Sequence, residues 1–165
     1  MNLLEEKYSK YALVREMMDT VDVVKEFDLN QTKGIAEEIS KVGKLLLTGE
    51  GSSRLFPAKN AIRKSLQSGM DLQIATDGSR QSAQYNLSKF AVFHASNSGR
   101  TKEVVLLAKK LKAEGNPYRY ALTANEDTLL EAASEKTFVL TCGWEQAVAA
   151  TKSVVEQALF YESIL

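Results

Sequence analysis

Five short apolar runs, each followed by a longer polar or amphipathic stretch, govern what this chain can become: Lys44 to Thr48, Asp71 to Thr76, Phe90 to Ala95, Tyr118 to Thr123 and Lys136 to Thr141. A hydrophobic period that keeps switching from short to helical spacing is the signature of strands alternating with helices. Strands joined through helices need crossover connections, which make the sheet parallel and put helices on both of its faces. The expected fold is therefore α/β, a three-layer α-β-α sandwich around a five-stranded, mostly parallel sheet. Helices are expected near Arg54 to Gln67, Ser79 to Asn86, Glu103 to Lys112 with a stop at Gly115 and Pro117, Thr128 to Ser134, and Gln146 to Leu165. Residues 1–40 read as an N-terminal helical segment packing on the domain, with Tyr8, Tyr11, Leu13, Val14, Met17 and Met18 near one face, and residues 41–165 as the domain itself.

The chain's 165 residues suit one domain with a sizeable core. Acids and bases balance at 21 each, so no global charge argues for nucleic acid or a membrane as partner. No run approaches the length of a membrane span, and the N-terminal residues lack a signal peptide's apolar core. One cysteine, Cys142, excludes an intrachain disulfide, and one histidine, His94, offers no cluster at metal-ligand spacing. A cytoplasmic protein without metal or cofactor is expected.

In open α/β sheets, ligands bind beyond the carboxyl ends of strands, near the point where strand order reverses. Three polar loops follow strand ends here: Glu50 to Ser53, Ser96 to Thr101 and Cys142 to Gln146. Ser96-Asn97-Ser98-Gly99-Arg100-Thr101 joins an apolar strand to a helix whose first N–H groups lack intrahelical partners and carry the positive end of the helix dipole. Hydroxyls from Ser96, Ser98 and Thr101, the Asn97 amide and the Gly99 turn would suit a phosphate. The same six residues also satisfy an ordinary N-cap by Ser96 or Ser98. Gly49-Glu50-Gly51 starts like a dinucleotide fingerprint, but Arg54 occupies the third glycine position and Asp77 is placed late for a ribose contact. Without Gly-Lys-Ser/Thr, a P-loop is excluded.

Taken in order, Gly49-Glu50-Gly51-Ser52-Ser53, Ser96 to Thr101, and Glu145-Gln146-Ala147-Val148-Ala149-Ala150-Thr151-Lys152 resemble the phosphosugar-binding SIS (sugar isomerase) domain, and in particular the first such domain of glucosamine-6-phosphate synthase-like isomerases. The resemblance runs from about Asp19 to the end and implies a flavodoxin-like sandwich. It implies that Ser96, Asn97, Ser98 and Thr101 hold the phosphate of a phosphorylated sugar or amino sugar, that Gly51, Ser52 and Ser53 contact the sugar, and that Val148 and Ala149 approach it through their backbone. Two positions depart from the pattern: Ala150 stands where relatives often have serine, and Arg100 where an acid is frequent.

The chemistry that the resemblance implies is aldose-ketose isomerisation, or the related isomerisation or deglycation of an amino-sugar phosphate, in which a base moves a proton between adjacent carbons. Glu145 and Glu50 are the loop carboxylates available. Glu145 is the candidate base, because it precedes the segment expected to line the sugar, while Glu50 equally suits a cap or solvent. His94, inside an apolar run, is expected to be buried and hydrogen-bonded. Cys142 and Trp144 suit pocket lining or packing. The last helix has no glycine stop or polar tail, an ending that fits the first half of a longer two-SIS protein or a single-domain form completing its site across a homodimer. The alternative to an enzyme is a module that senses a sugar phosphate without converting it; no DNA-binding helix pair precedes the domain in this sequence.

Overall fold

Leu45, Leu46 and Leu47 form a continuous apolar run, which only a strand covered on both faces can bury. In the computed structural model, which describes residues 2–165, they lie on an inner strand of a five-stranded sheet. The strands are β1 (Lys44–Gly49), β2 (Gln73–Gly78), β3 (Ala91–Ala95), β4 (Arg119–Thr123) and β5 (Lys136–Val139), in the order β2-β1-β3-β4-β5. All four pairings are parallel, for example Leu45 opposite Ile74 on one side and Ala91 on the other. The inner strands β3 and β4 are buried throughout, whereas the edge strands β2 and β5 are half-exposed.

Helices α1 (Glu6–Ser9), α2 (Ala12–Glu26) and α3 (Lys33–Val42) precede the sheet; α4 (Ser52–Gln67), α5 (Ser79–Ser82), α6 (Lys102–Ala113) and α7 (Lys152–Glu162) follow its strands. Side chains alternate across each strand, so successive residues feed opposite cores. Leu45, Leu47, Phe93, Tyr120 and Leu122 pack with Ile35 and Ile39 of α3, Ala58 of α4 and Phe160 and Tyr161 of α7. Phe93 anchors this layer, its ring centroid 5.1 Å from Tyr120 and 5.6 Å from Phe160. On the other face, Leu46 and Val92 meet Leu107 and Leu111 of α6, and Ala121 meets Val104 and Ala108. The three-layer sandwich expected from the sequence is present, and every pairing in its sheet is parallel.

Three local differences stand out. Between Thr128 and Ser134 only a 3-10 turn forms, Glu131–Ala133. The last helix begins at Lys152, leaving 146–151 as loop. And α2 turns most of its apolar residues outward: Leu13, Met17, Val21 and Val24 are exposed, and the one buried residue of the helix is Glu16.

Candidate functional site

The chain leaves β1 toward β2 on one side and returns to β3 on the other, so the carboxyl ends of β1 and β3 diverge at the switch point of the sheet. The Ser96–Thr101 loop caps β3 there. Gly99 takes φ +60°, and its N–H donates to Ser96 O at 2.8 Å, closing the turn. Ser96 Oγ and Thr101 Oγ1 share a hydrogen bond of 2.8 Å, and Ser98 Oγ accepts from Arg100 N at 3.2 Å. Thr101 is the residue that precedes α6, yet its side chain makes no cap bond. The first helical bond is Val105 N to Thr101 O, so the N–H groups of Lys102, Glu103 and Val104 have no acceptor among the described residues. Thr101 N also donates to Ser96 Oγ at 3.4 Å, so both serines engage N–H groups within the loop, while those of Lys102 to Val104 stay open. The loop is braced from β4, with Ala124 N donating to Asn97 O at 3.0 Å and Asn125 Nδ2 to the same oxygen at 2.7 Å.

The loop after β5 is held differently. Glu145 accepts from Thr151 N at 2.7 Å, Thr151 Oγ1 at 2.8 Å, Ser153 N at 3.3 Å and Ser153 Oγ. It thereby caps α7 from six residues upstream, which is why the helix starts at Lys152 rather than Gln146. Burial alone would raise the Glu145 carboxyl, but the Ser153 and Thr151 hydrogen bonds outweigh it and hold the group below its usual range. Ser153 Oγ also accepts from Asn97 Nδ2 at 2.8 Å, tying this loop to the one after β3. Buried Glu156 of α7 accepts from Thr141 N and Cys142 N, each at 2.7 Å.

Between the two loops lies a cleft of about 220 Å³, lined by Asn97, Ser98, Asn125, Trp144, Glu145 and Val148 together with small residues. Of the residues expected at the site, Asn97, Ser98 and Glu145 line it, as does Trp144; Ser96 lies buried beneath and Thr101 is half-buried at the start of α6. Gly51, Ser52 and Ser53 do not line this cleft. Ser52 and Ser53 form the first turn of α4, and Ser53 O accepts from Gln157 Nε2. Glu50 accepts from Ser79 N at 3.0 Å, a capping role at α5. Cys142 is buried in the core, where burial, then the Glu156 charge, pushes its thiol up to about 12. Asp77 is occupied by Tyr85 Oη–H and Gly78 N–H, bonds that hold its carboxyl below the usual range. His94 is buried as expected, but neither ring nitrogen has a protein hydrogen-bond partner.

No protein-family model and no curated protein sequence matches this chain. Solved structures do. The C-terminal domain of glucosamine-fructose-6-phosphate aminotransferase from Francisella tularensis superposes with a TM-score of 0.71 at 18% identity, over 94% of this chain and 47% of that one. The chain has the SIS fold. Escherichia coli CFT073 c3406, in complex with a phosphosugar, shares that SIS fold at a TM-score of 0.75 and 17% identity, covering 99% of this chain and 89% of its own. The Vibrio vulnificus NanR protein, complexed with ManNAc-6P, matches at 0.66 and 21% identity, over 94% of this chain and 58% of its own. The chain thus spans about half of the Francisella domain and most of c3406, with the loops described above at the sheet's carboxyl edge in an SIS sandwich.

Proposed function

We propose that this chain is the phosphosugar-binding domain of a sugar-phosphate isomerase, its phosphate held by the Ser96–Thr101 loop and its sugar lying toward Glu145 and Val148. One observation supports the reading: the N–H groups of Lys102 to Val104 have no acceptor at the switch point of the sheet, where the hydroxyls of Ser96, Ser98 and Thr101 belong to the same loop. An anion there meets unpaired donors and the positive end of the α6 dipole. The phosphosugars held by c3406 and NanR support the same ligand class here. Ser52 and Ser53 serve the sugar only after a movement of α4 or of the ligand toward them.

Ser98→Ala with Thr101→Val is expected to weaken hexose-phosphate binding by roughly ten- to a hundredfold per lost bond, since a hydrogen bond to a charged group contributes about 1.5–3 kcal/mol. The exposed Ser98 carries little of the fold, so the melting temperature should change mainly through loss of the Ser96–Thr101 bond. Calorimetry giving equal affinities for the double variant and the parent would rule out this placement of the phosphate.

For isomerisation, a base removes a proton from the carbon next to the carbonyl and the enediolate regains one at its neighbour. Glu145 is the carboxylate among the cleft-lining residues and is ionised at neutral pH. Glu145→Gln is expected to stop deuterium exchange at C1 or C2 of the bound sugar while binding persists; exchange that continues would move the base elsewhere. The hydrogen bonds already on Glu145 favour a second reading, in which the domain senses a sugar phosphate without turnover, and absence of exchange in the parent chain would select it.

The exposed stripe of Leu13, Met17, Val21 and Val24 on α2 supports a homodimer or a second SIS domain as partner. No described helix is long and apolar enough to cross a membrane, and a phosphorylated sugar as ligand supports a cytoplasmic setting.

A further inference from the structure

Resting on the phosphosugar reading, we propose that Glu16 is a positioning residue for the sugar end of the cleft, acting through the backbone of Gln146 and Ala147. The β5–α7 loop, residues 141–151, donates no backbone–backbone hydrogen bond among the described residues. Its bonded N–H groups all go to carboxylates: Thr141 and Cys142 to Glu156, Gln146 and Ala147 to Glu16, and Thr151 to Glu145. Glu156 and Glu145 belong to the helix and loop they pin. Glu16 reaches in from α2, a helix that enters long before the sheet.

A surface helix normally buries an apolar stripe. α2 instead buries an acid, with only 6% of Glu16 exposed while Met17 and Val21 stay half in solvent. No lysine or arginine forms a salt bridge with Glu16 among the described residues; the two backbone N–H groups stand in as donors, with Ala147 N at 3.2 Å from Oε2. Charge-assisted bonds of this kind are shorter and stronger than neutral ones, and a buried carboxylate without them is costly. The docking of α2 and the shape of the loop are therefore one event. Asp19, one turn further along α2, adds a contact to Lys152 Nζ at 3.8 Å, so the helix holds the loop at its middle and at its junction with α7. Between those grips lie Val148 and Ala150 at the cleft wall.

The consequence is a division of labour. The phosphate loop after β3 is braced by β4 and does not touch Glu16, whereas the sugar-side wall keeps its backbone course through it. In the full chain, Glu16→Gln is expected to raise the Kd for a hexose 6-phosphate at least tenfold and to leave the Kd for inorganic phosphate within twofold. Amide exchange at Gln146 and Ala147 should quicken by a similar factor while exchange in β3 stays slow. Equal weakening of both ligands, or sugar-phosphate affinity unchanged in a folded variant, overturns the assignment. If the parent chain binds neither ligand, the phosphosugar reading fails by itself, and unaltered exchange at residues 146–147 in Glu16→Gln then overturns the Glu16 role separately. Should Glu16→Gln not fold, Glu16→Asp keeps the charge with a shorter reach and must show the same split at smaller size, or the proposal falls.

Discussion

Gly99→Ala is expected to cost about 2–5 kcal/mol of stability and to remove phosphosugar binding. Two terms act together. At φ +60° an L-residue sits in the left-handed region, at about 1–2 kcal/mol. A Cβ on Gly99 would also fall inside the Thr128 side chain, against its Cβ, Cγ2 and Oγ1 together, and overpacking of that kind costs about 1–3 kcal/mol. Thr128 cannot swing aside freely, because its Oγ1 accepts from Glu131 N at 3.1 Å and Leu130 N is bonded to Gly99 O at 3.1 Å. The strain lands on the turn that orients Ser98 and Thr101. Urea unfolding of Gly99→Ala, Thr128→Gly and the double variant separates the terms: the overpacking part should appear as favourable coupling between the two sites, with the backbone part remaining. Strict additivity would mean that the close approach to Thr128 carries no energy.

The sandwich could be read from the sequence because its strands are short apolar runs and the inner ones are buried on both faces, which few other patterns satisfy. The place of the Ser96–Thr101 loop between β3 and α6 was legible too, because an apolar run gives way to a polar, Gly-containing turn before a helical one. What sequence could not reveal is long-range acceptance of backbone N–H groups by acids. Glu145 looked like a free loop carboxylate, yet it caps α7 from upstream. Glu16, beside Met17 on a predicted helix, reads as a solvated helical acid, and its burial depends on a loop 130 residues away. The same cause shortened the expected last helix: N–H groups at 146 and 147 that find a carboxylate gain nothing by turning helical. Ser52 and Ser53 follow the strand end as expected, but they form the first turn of α4 and do not line the cleft between the other two loops.

Stability of this chain should fall as pH drops from 6.5 toward 5, through His94 alone, with a slope that steepens toward about 1.4 kcal/mol per pH unit. The residue is fully buried in β3, and burial, helped by the positive charge of Arg119, lowers it from its ordinary 6.5 to about 3. Between those two values the unfolded chain holds the proton and the folded chain does not. Unfolding therefore takes up a proton, and acid favours it; the stabilisation is complete from about one pH unit above the unfolded value, and it is lost below about 3. His94 is the only histidine, and carboxyl groups whose folded values are lowered, Glu145 and Asp77 among them, begin to contribute only nearer their ordinary range of about 4. The interval from 6.5 to 5 thus isolates one side chain. His94→Leu should flatten the profile across it, so that chemical unfolding at both ends gives the same free energy. Because neither imidazole nitrogen has a protein partner, an apolar group of similar size should cost little at pH 7 and can stabilise. A parent profile already flat from 6.5 to 5 would show that His94 is reached by water or finds an acceptor when protonated, and β3 would then be less tightly covered by α6 than its packing indicates.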